Sequence, residues 1–154
     1  MYEDYLVSGS TVQRVLNGEM KSPLQAITYL KKVCGHPSLI DQSYKIDSIG
    51  SDRLLKDSAK LQTLLALVES LNKSKSRILI FSQSTKILDI LEKILQHLKL
   101  SRIDGKTKER DRQYLVDKFN GDNSKISVML LSTKAAGLGL TLTGADRVRI
   151  MIQF

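Results

Sequence analysis

From Arg77 to Phe81 the chain is apolar almost without interruption, whereas from Ser84 to Leu98 apolar positions recur every third or fourth residue. The first pattern predicts a strand buried on both faces. The second predicts an amphipathic helix, with Ile87, Leu88, Ile90, Leu91, Ile94, Leu95 and Leu98 inward, Lys86, Asp89, Lys93 and Gln96 outward, and Ser84 as its cap. The same alternation extends both ways. Leu61, Leu64, Leu65, Val68 and Leu71 predict a helix before it; residues 100–103, 126–131 and 146–152 predict strands after it, with a helix over 108–119. Alternating strands and helices predict an α/β fold, a mainly parallel sheet flanked by helices. In such sheets ligands gather at the carboxyl ends of the strands. That rule singles out Ser82-Gln83, Asp104-Gly105 and Ser132-Thr133.

The first third reads differently. Ser22-Pro23 has the chemistry of a helix start, and Leu24, Ile27, Leu30 and Val33 keep helical spacing until Gly35-His36-Pro37 interrupts it. Residues 41–57 are polar and without period, which places a boundary there. Two regions are therefore expected: a helical lead-in over 1–50 and an α/β domain over 51–154.

Composition adds limits. The 154 residues are 42% hydrophobic and 26% charged, values of an ordinary globular chain rather than a disordered or collagen-like one. No apolar run approaches the roughly 20 residues of a membrane span, and the acidic start Glu3-Asp4 lacks the features of a secretory leader, so an intracellular setting is expected. The net charge of +8 is uneven. Residues 1–50 are balanced, while 51–100 carry nine basic and five acidic side chains and 101–154 carry ten and six. A basic surface on the second region would suit a polyanion.

Several candidate chemistries fail on spacing. Gly105-Lys106-Thr107 ends like a Walker A loop, but the required earlier glycine is Leu100. Gly137-Leu138-Gly139 begins a dinucleotide fingerprint, but its third glycine would be Leu142. Cys34 is the sole cysteine, which excludes an internal disulfide and a cysteine-rich zinc site; at a helix end it reads as a small core residue. His97 falls on a polar helix side and reads as solvated, and His36, before a proline, as an extended residue punctuating a helix. No catalytic residue and no metal site is assigned.

Taken together, several segments resemble the C-terminal motor lobe of Swi/Snf-type DNA translocases, helicase-like ATPases with two RecA-like lobes. Leu30-Lys31-Lys32-Val33-Cys34-Gly35-His36-Pro37 resembles the signature leading into the second lobe. Leu79-Ile80-Phe81-Ser82-Gln83 is similar to motif IV, and Arg102-Ile103-Asp104-Gly105 with Thr107, Arg112 and Phe119-Asn120 to the next block. The run from Leu130 to Thr143 resembles motif V. Within the family, the segment from Ser22 to Pro37 with Phe81-Ser82-Gln83-Ser84 is most similar to the PICH-like mitotic checkpoint helicases.

The resemblance implies a nuclear, ATP-dependent motor on double-stranded DNA, working with an N-terminal ATPase lobe and with ATP and magnesium bound between the two. It implies DNA contacts from Ser82, Gln83, Arg102, Asp104, Gly105, Thr107, Thr133 and Lys134, and ATP contacts from Gly137, Gly139 and Thr141. Arg112 lies on the stripe of Leu115, Val116 and Phe119, so it is expected to point inward, pair with Asp104 and set the loop's shape.

Two departures matter. The family has Gly-Gly where this chain has Ala136-Gly137, and commonly Asn at Thr141. The 154 residues also contain no Walker A, no Walker B and no motif VI arginines, so the chain is expected to stop inside a strand and to be inactive alone. The alternative is a non-catalytic module that docks on nucleic acid or on an intact motor.

Overall fold

The computed structural model describes residues 34–40, 45–137, 139–145 and the backbone of 148–152, with single positions at 18, 24, 27, 28, 31 and 32. Ser22, Pro23, Val33, Leu138 and Asp146, which figure in the expectations above, lie outside the described residues. The chain divides into two compact units, one reaching Lys45 and the other spanning Ile46–Gln153.

In the first unit Leu24, Ile27, Thr28, Lys31 and Lys32 are helical, and a 3₁₀ turn follows at Pro37–Leu39. His36 is extended, as a residue before proline should be, with φ −159° and ψ 141°. It is also buried, and its Nδ1 accepts the Ser38 amide at 3.1 Å, capping the turn. Cys34 is exposed, which corrects the reading of it as a core residue. Leu24 and Ile27 of the stripe that would have covered it are exposed as well.

The second unit runs α1 (Ser51–Lys56), α2 (Ala59–Lys73), β1 (Ile78–Ser82), α3 (Thr85–Ile94), β2 (Leu100–Ile103), α4 (Glu109–Asn120), β3 (Val128–Ser132), α5 (Thr133–Ala136) and β4 (Val148–Ile152). The four strands are parallel in the order β2-β3-β1-β4. Ile78 and Ile80 alternate with Leu79 and Phe81 across β1, as the two-residue period of a strand requires. Leu79, Ile103, Met129 and Leu131 face α4 through Val116 and Phe119. Helix α3 packs on β1 and β3 with Ile87, Leu88, Ile90 and Leu91 buried. Both faces are thus covered, which explains why β1 and β3 are written as unbroken apolar runs.

The division at Lys45 falls earlier than the boundary at 50/51 expected from composition. Lys93 of α3 explains the shift. Its Nζ donates to the carbonyls of Ile46 and Asp47 at 2.8 and 3.0 Å, and its own carbonyl accepts Ser51 Oγ at 3.4 Å. With Leu54 buried beneath, the polar segment is fastened to the α/β unit and forms α1, a helix too short to leave a period in the sequence.

The connection from β3 to β4 is held by Asn120, the last residue of α4. Its Nδ2 donates to the Thr141 carbonyl at 2.8 Å, and its Oδ1 accepts the Gly144 amide at 2.8 Å. Gly144 lies so close that a Cβ there would stand 2.7 Å from Asn120 Cα and 2.8 Å from the Phe119 carbonyl oxygen. No helix among the described residues is long and apolar enough to cross a membrane.

Because those neighbours are backbone atoms that cannot swing aside, Gly144→Ala is expected to cost about 1–3 kcal/mol in denaturant unfolding. Gly137 has right-handed backbone, and a methyl group added there would come no nearer than 3.6 Å to its neighbours, so Gly137→Ala should leave stability unchanged or raise it by up to about 1 kcal/mol.

Candidate nucleic-acid interface

Parallel strands of matched length bring three loops to one edge. Ser82 of β1 is opposite Ser132 of β3, and Ile103 of β2 is opposite Leu131, so Asp104 begins the third loop beside Ser132. Neighbouring strands lie about 5 Å apart, which puts the outer two loops about 10 Å from each other with the third between them. Gln83, Gly105, Lys106 and Lys134 are exposed there, and Thr107 and Thr133 are half-buried.

Each loop is fixed by a hydroxyl or carboxylate at the strand end. Ser82, fully buried, accepts the Ser84 amide at 3.2 Å and donates to the Ser84 carbonyl at 3.3 Å. Ser84 occupies the cap position of α3 but makes no side-chain capping bond; Ser82 shapes that turn instead. Ser132 Oγ accepts the Ala135 amide at 3.2 Å and so starts α5. This short helix contains Ala136, and no non-glycine residue after Lys75 among the described ones has positive φ. Alanine at this position is therefore unstrained.

Asp104 does most. Its Oδ1 accepts the Lys106 amide at 2.8 Å, its Oδ2 is 2.8 Å from an Arg102 guanidinium nitrogen, and its carbonyl accepts the Thr107 amide at 3.1 Å. Thr107 Oγ1 in turn accepts the Asp104 amide at 3.1 Å. Arg102 also reaches Asp89 at 2.7 Å and Glu92 at 2.9 Å on α3. These contributions are unequal. Asp89 and Glu92 are 47% and 48% exposed, so each pair is worth less than about 1 kcal/mol; Asp104 is only 6% exposed, and losing its partner would strand a buried charge.

Burial alone would raise the Asp104 carboxyl pKa, but the Lys106 amide and the Arg102 guanidinium outweigh it and hold it below the usual carboxylate range. Burial likewise works against the Arg102 charge, and the bonds to Asp89, Glu92 and Asp104 overcome it.

Arg112 is partly buried, as its place on the α4 stripe predicts, and it meets Asp104 through the backbone carbonyl rather than the expected carboxylate. Its Nε donates to the Thr107 carbonyl at 2.9 Å and a terminal nitrogen is 3.4 Å from the Asp104 carbonyl. It clasps the loop backbone, because the Asp104 carboxylate is already taken by Arg102 two residues earlier on the same strand. Arg102 is thus drawn into the scaffold beneath the edge, with its side chain 17% exposed.

The residues expected to contact ATP lie in the connection from β3 to β4. Gly139 has left-handed backbone, φ 78°, with nothing within 4 Å of a would-be Cβ. Thr141 is tied to Asn120, at the opposite end of α4 from the Asp104–Thr107 turn. Twelve helical residues rise about 18 Å, so the structure does not bring Thr141 to the three loops. Asn120 and Gly144, which hold this stretch, are not paired by any sequence pattern; a glycine two residues before the expected strand is the available sign.

A four-stranded parallel sheet covered by helices on both faces is the architecture of a RecA-like lobe. Residues 59–152 match the helicase conserved C-terminal domain, and the chain belongs to that family. Its relatives are Swi/Snf-type ATPases. DNA excision repair protein ERCC-6-like of Danio rerio is 36% identical over 84% of this chain and 11% of the relative. ISWI chromatin-remodeling complex ATPase ISW1 of Saccharomyces cerevisiae is 41% identical over 86% of this chain and 12% of the relative. The Sulfolobus solfataricus SWI2/SNF2 ATPase C-terminal domain superposes with a TM-score of 0.72 over 93% of this chain and 64% of that one, at 21% identity, a likeness of fold. The chain thus spans about a tenth of the length of these two curated relatives, and its similarity to both does not select one subfamily.

The depressed Asp104 carboxyl gives a pH signature. Its contribution to stability is complete above the ordinary carboxylate range and is lost as pH falls through the lowered folded value. Asp104→Asn should cost about 2 kcal/mol at pH 7, a difference constant down to about pH 5 and shrinking as pH falls below the ordinary carboxylate range. Urea unfolding at stepped pH checks this; a gap that persists unchanged into acid would exclude the Arg102–Asp104 pair as the cause.

Proposed function

We propose that this chain is the second lobe of a nuclear, ATP-dependent double-stranded DNA translocase of the chromatin-remodelling and DNA-repair class, and that its carboxyl-edge loops ride on the phosphate backbone. The observation that carries the reading is the row of three fixed loops presenting Gln83, Gly105, Lys106 and Lys134, exposed, beside the half-buried hydroxyls of Thr107 and Thr133. Such donors neutralise and position phosphates without reading bases, which suits a motor that must move over any sequence. Gln83, Gly105, Lys106, Thr107, Thr133 and Lys134 make the contacts; Ser82, Arg102, Asp104 and Arg112 hold the loops that present them.

Gly137 and Gly139 face the ATP and magnesium bound by an N-terminal lobe, whose Walker motifs supply phosphate binding and metal ligation. The open, left-handed Gly139 supports that assignment, since backbone without a side chain allows close approach. The motor's arginines, which contribute roughly 10³ to 10⁵ in rate in phosphoryl-transfer enzymes, are not among these 154 residues. The isolated chain therefore hydrolyses no ATP above background with duplex DNA present; DNA-stimulated turnover by the pure 154-residue chain would contradict this.

Binding is expected to be sequence-independent and salt-sensitive, each neutralised phosphate steepening the log–log salt slope by roughly 0.9. Lys106→Glu with Lys134→Glu should weaken duplex binding and make the slope shallower by about 2 in a fluorescence titration. An unchanged slope would remove these two lysines from the interface.

A further inference from the structure

The amino end of the sheet carries a second feature. A cavity of about 660 Å³ opens between the start of β2, the last turns of α4 and the loop that leads into β3. Its size falls within the roughly 300–1,000 Å³ of ordinary ligand sites. The hydrogen-bonding groups of the nearby helix end are already satisfied: Arg77 donates to the carbonyls of Phe119 and Gly121 at 2.9 and 3.0 Å, and Asn120 is turned toward Thr141 and Gly144. Beside the polar Asn123 and Ser124, the lining offers an apolar and a basic component. Leu98, Leu100 and the buried Ile126 supply an apolar lining, and Lys99, Lys118 and Lys125 stand exposed around it.

None of these three ammonium groups has a carboxylate within ion-pairing distance among the described residues. Lys118 lies 5.9 Å from the Tyr114 ring centre, and Asp117, the one carboxylate of the lining, is engaged by Gln113 Nε2 at 2.8 Å. The strands of four and five residues place this site about 15 Å from the carboxyl-edge loops. That exceeds the roughly 8 Å screening length at physiological salt, so the two basic regions act independently.

We infer that this cavity docks an acidic polypeptide segment of a separate protein, one that places an aliphatic side chain on Leu98, Leu100 and Ile126 while its carboxylates meet Lys99, Lys118 and Lys125. Charge complementarity alone would admit duplex DNA. The apolar concavity decides between them: a duplex is convex and offers its phosphates nothing to bury there, whereas a peptide carries both an apolar anchor and charge. Rim charges set encounter and selectivity, and the seated aliphatic group sets residence.

The test is a fluorescence-anisotropy titration of the full 154-residue chain with a labelled, glutamate-rich synthetic peptide bearing one central leucine. Saturable binding is expected. It should weaken at least about tenfold when Lys99→Glu, Lys118→Glu and Lys125→Glu are combined, and about tenfold when the peptide's leucine is exchanged for glutamine. Lys106→Glu with Lys134→Glu should leave it unchanged, and unlabelled duplex DNA should not displace the peptide. Undiminished binding by the charge-reversed chain, equal binding of the leucine-free peptide, or displacement by duplex would each overturn the inference. If thermal melting shows that the charge-reversed chain is unfolded, the triple Lys→Gln variant replaces it, with a several-fold loss expected and no loss contradicting the site. Because duplex binding is read from different lysines, failure here and failure of the translocase reading are separable.

Discussion

The carboxylate of Asp104 is nearly excluded from solvent, and the loop after β2 takes its shape from it. A charge in that position costs several kcal/mol unless it is met at close range, and it is met twice, by the Lys106 amide and by the Arg102 guanidinium. The consequences run outward. Lys106 is placed with its backbone fixed and its ammonium free in solvent, the turn to Thr107 closes, and Arg112 clasps the turn from α4. Through Arg102 the same carboxylate ties β2 to the outer face of α3. On the proposed reading such rigidity is an advantage, since ordering a loop on contact would consume binding energy at every step.

The edge exists because the parallel sheet is covered on both faces, leaving loops at its two ends as the places for chemistry. The two ends are built differently. The carboxyl end presents amides, hydroxyls and lysines on fixed turns, the composition expected of a surface that grips phosphate. The amino end presents an apolar hollow with lysines around it, the composition of a peptide-docking site.

Much of the α/β unit was legible in the residues, for identifiable reasons. Residues 77–81 and the α3 stripe are long and strongly periodic, so packing and local preference agree, and the structure keeps both within a few residues. Helix α1 was hidden because it is held by Lys93 and Leu54, partners distant in sequence, rather than by its own pattern. Helix α5 was hidden because four residues carry no period at all. At the edge, the loop positions followed from the general rule for parallel sheets, but the division between residues that present and residues that support did not. Arg102 is basic and adjacent to the loop, so sequence places it among contacts; only distances reveal that three carboxylates hold it. Cys34 reversed for the mirror-image reason: an apolar stripe beside it is no sign of burial when Leu24 and Ile27 of that stripe are themselves exposed.

If duplex DNA is held by the three loops at the carboxyl edge, those loops gain protection when it binds. Amide hydrogen exchange on the chain with and without duplex DNA tests it residue by residue. Added protection is expected at Gln83, over 105–108 and at Thr133 and Lys134, with the amides of Lys99 and of 123–125 unaffected. Protection concentrated at the amino end, or none at the three loops under conditions of saturating binding, would contradict it.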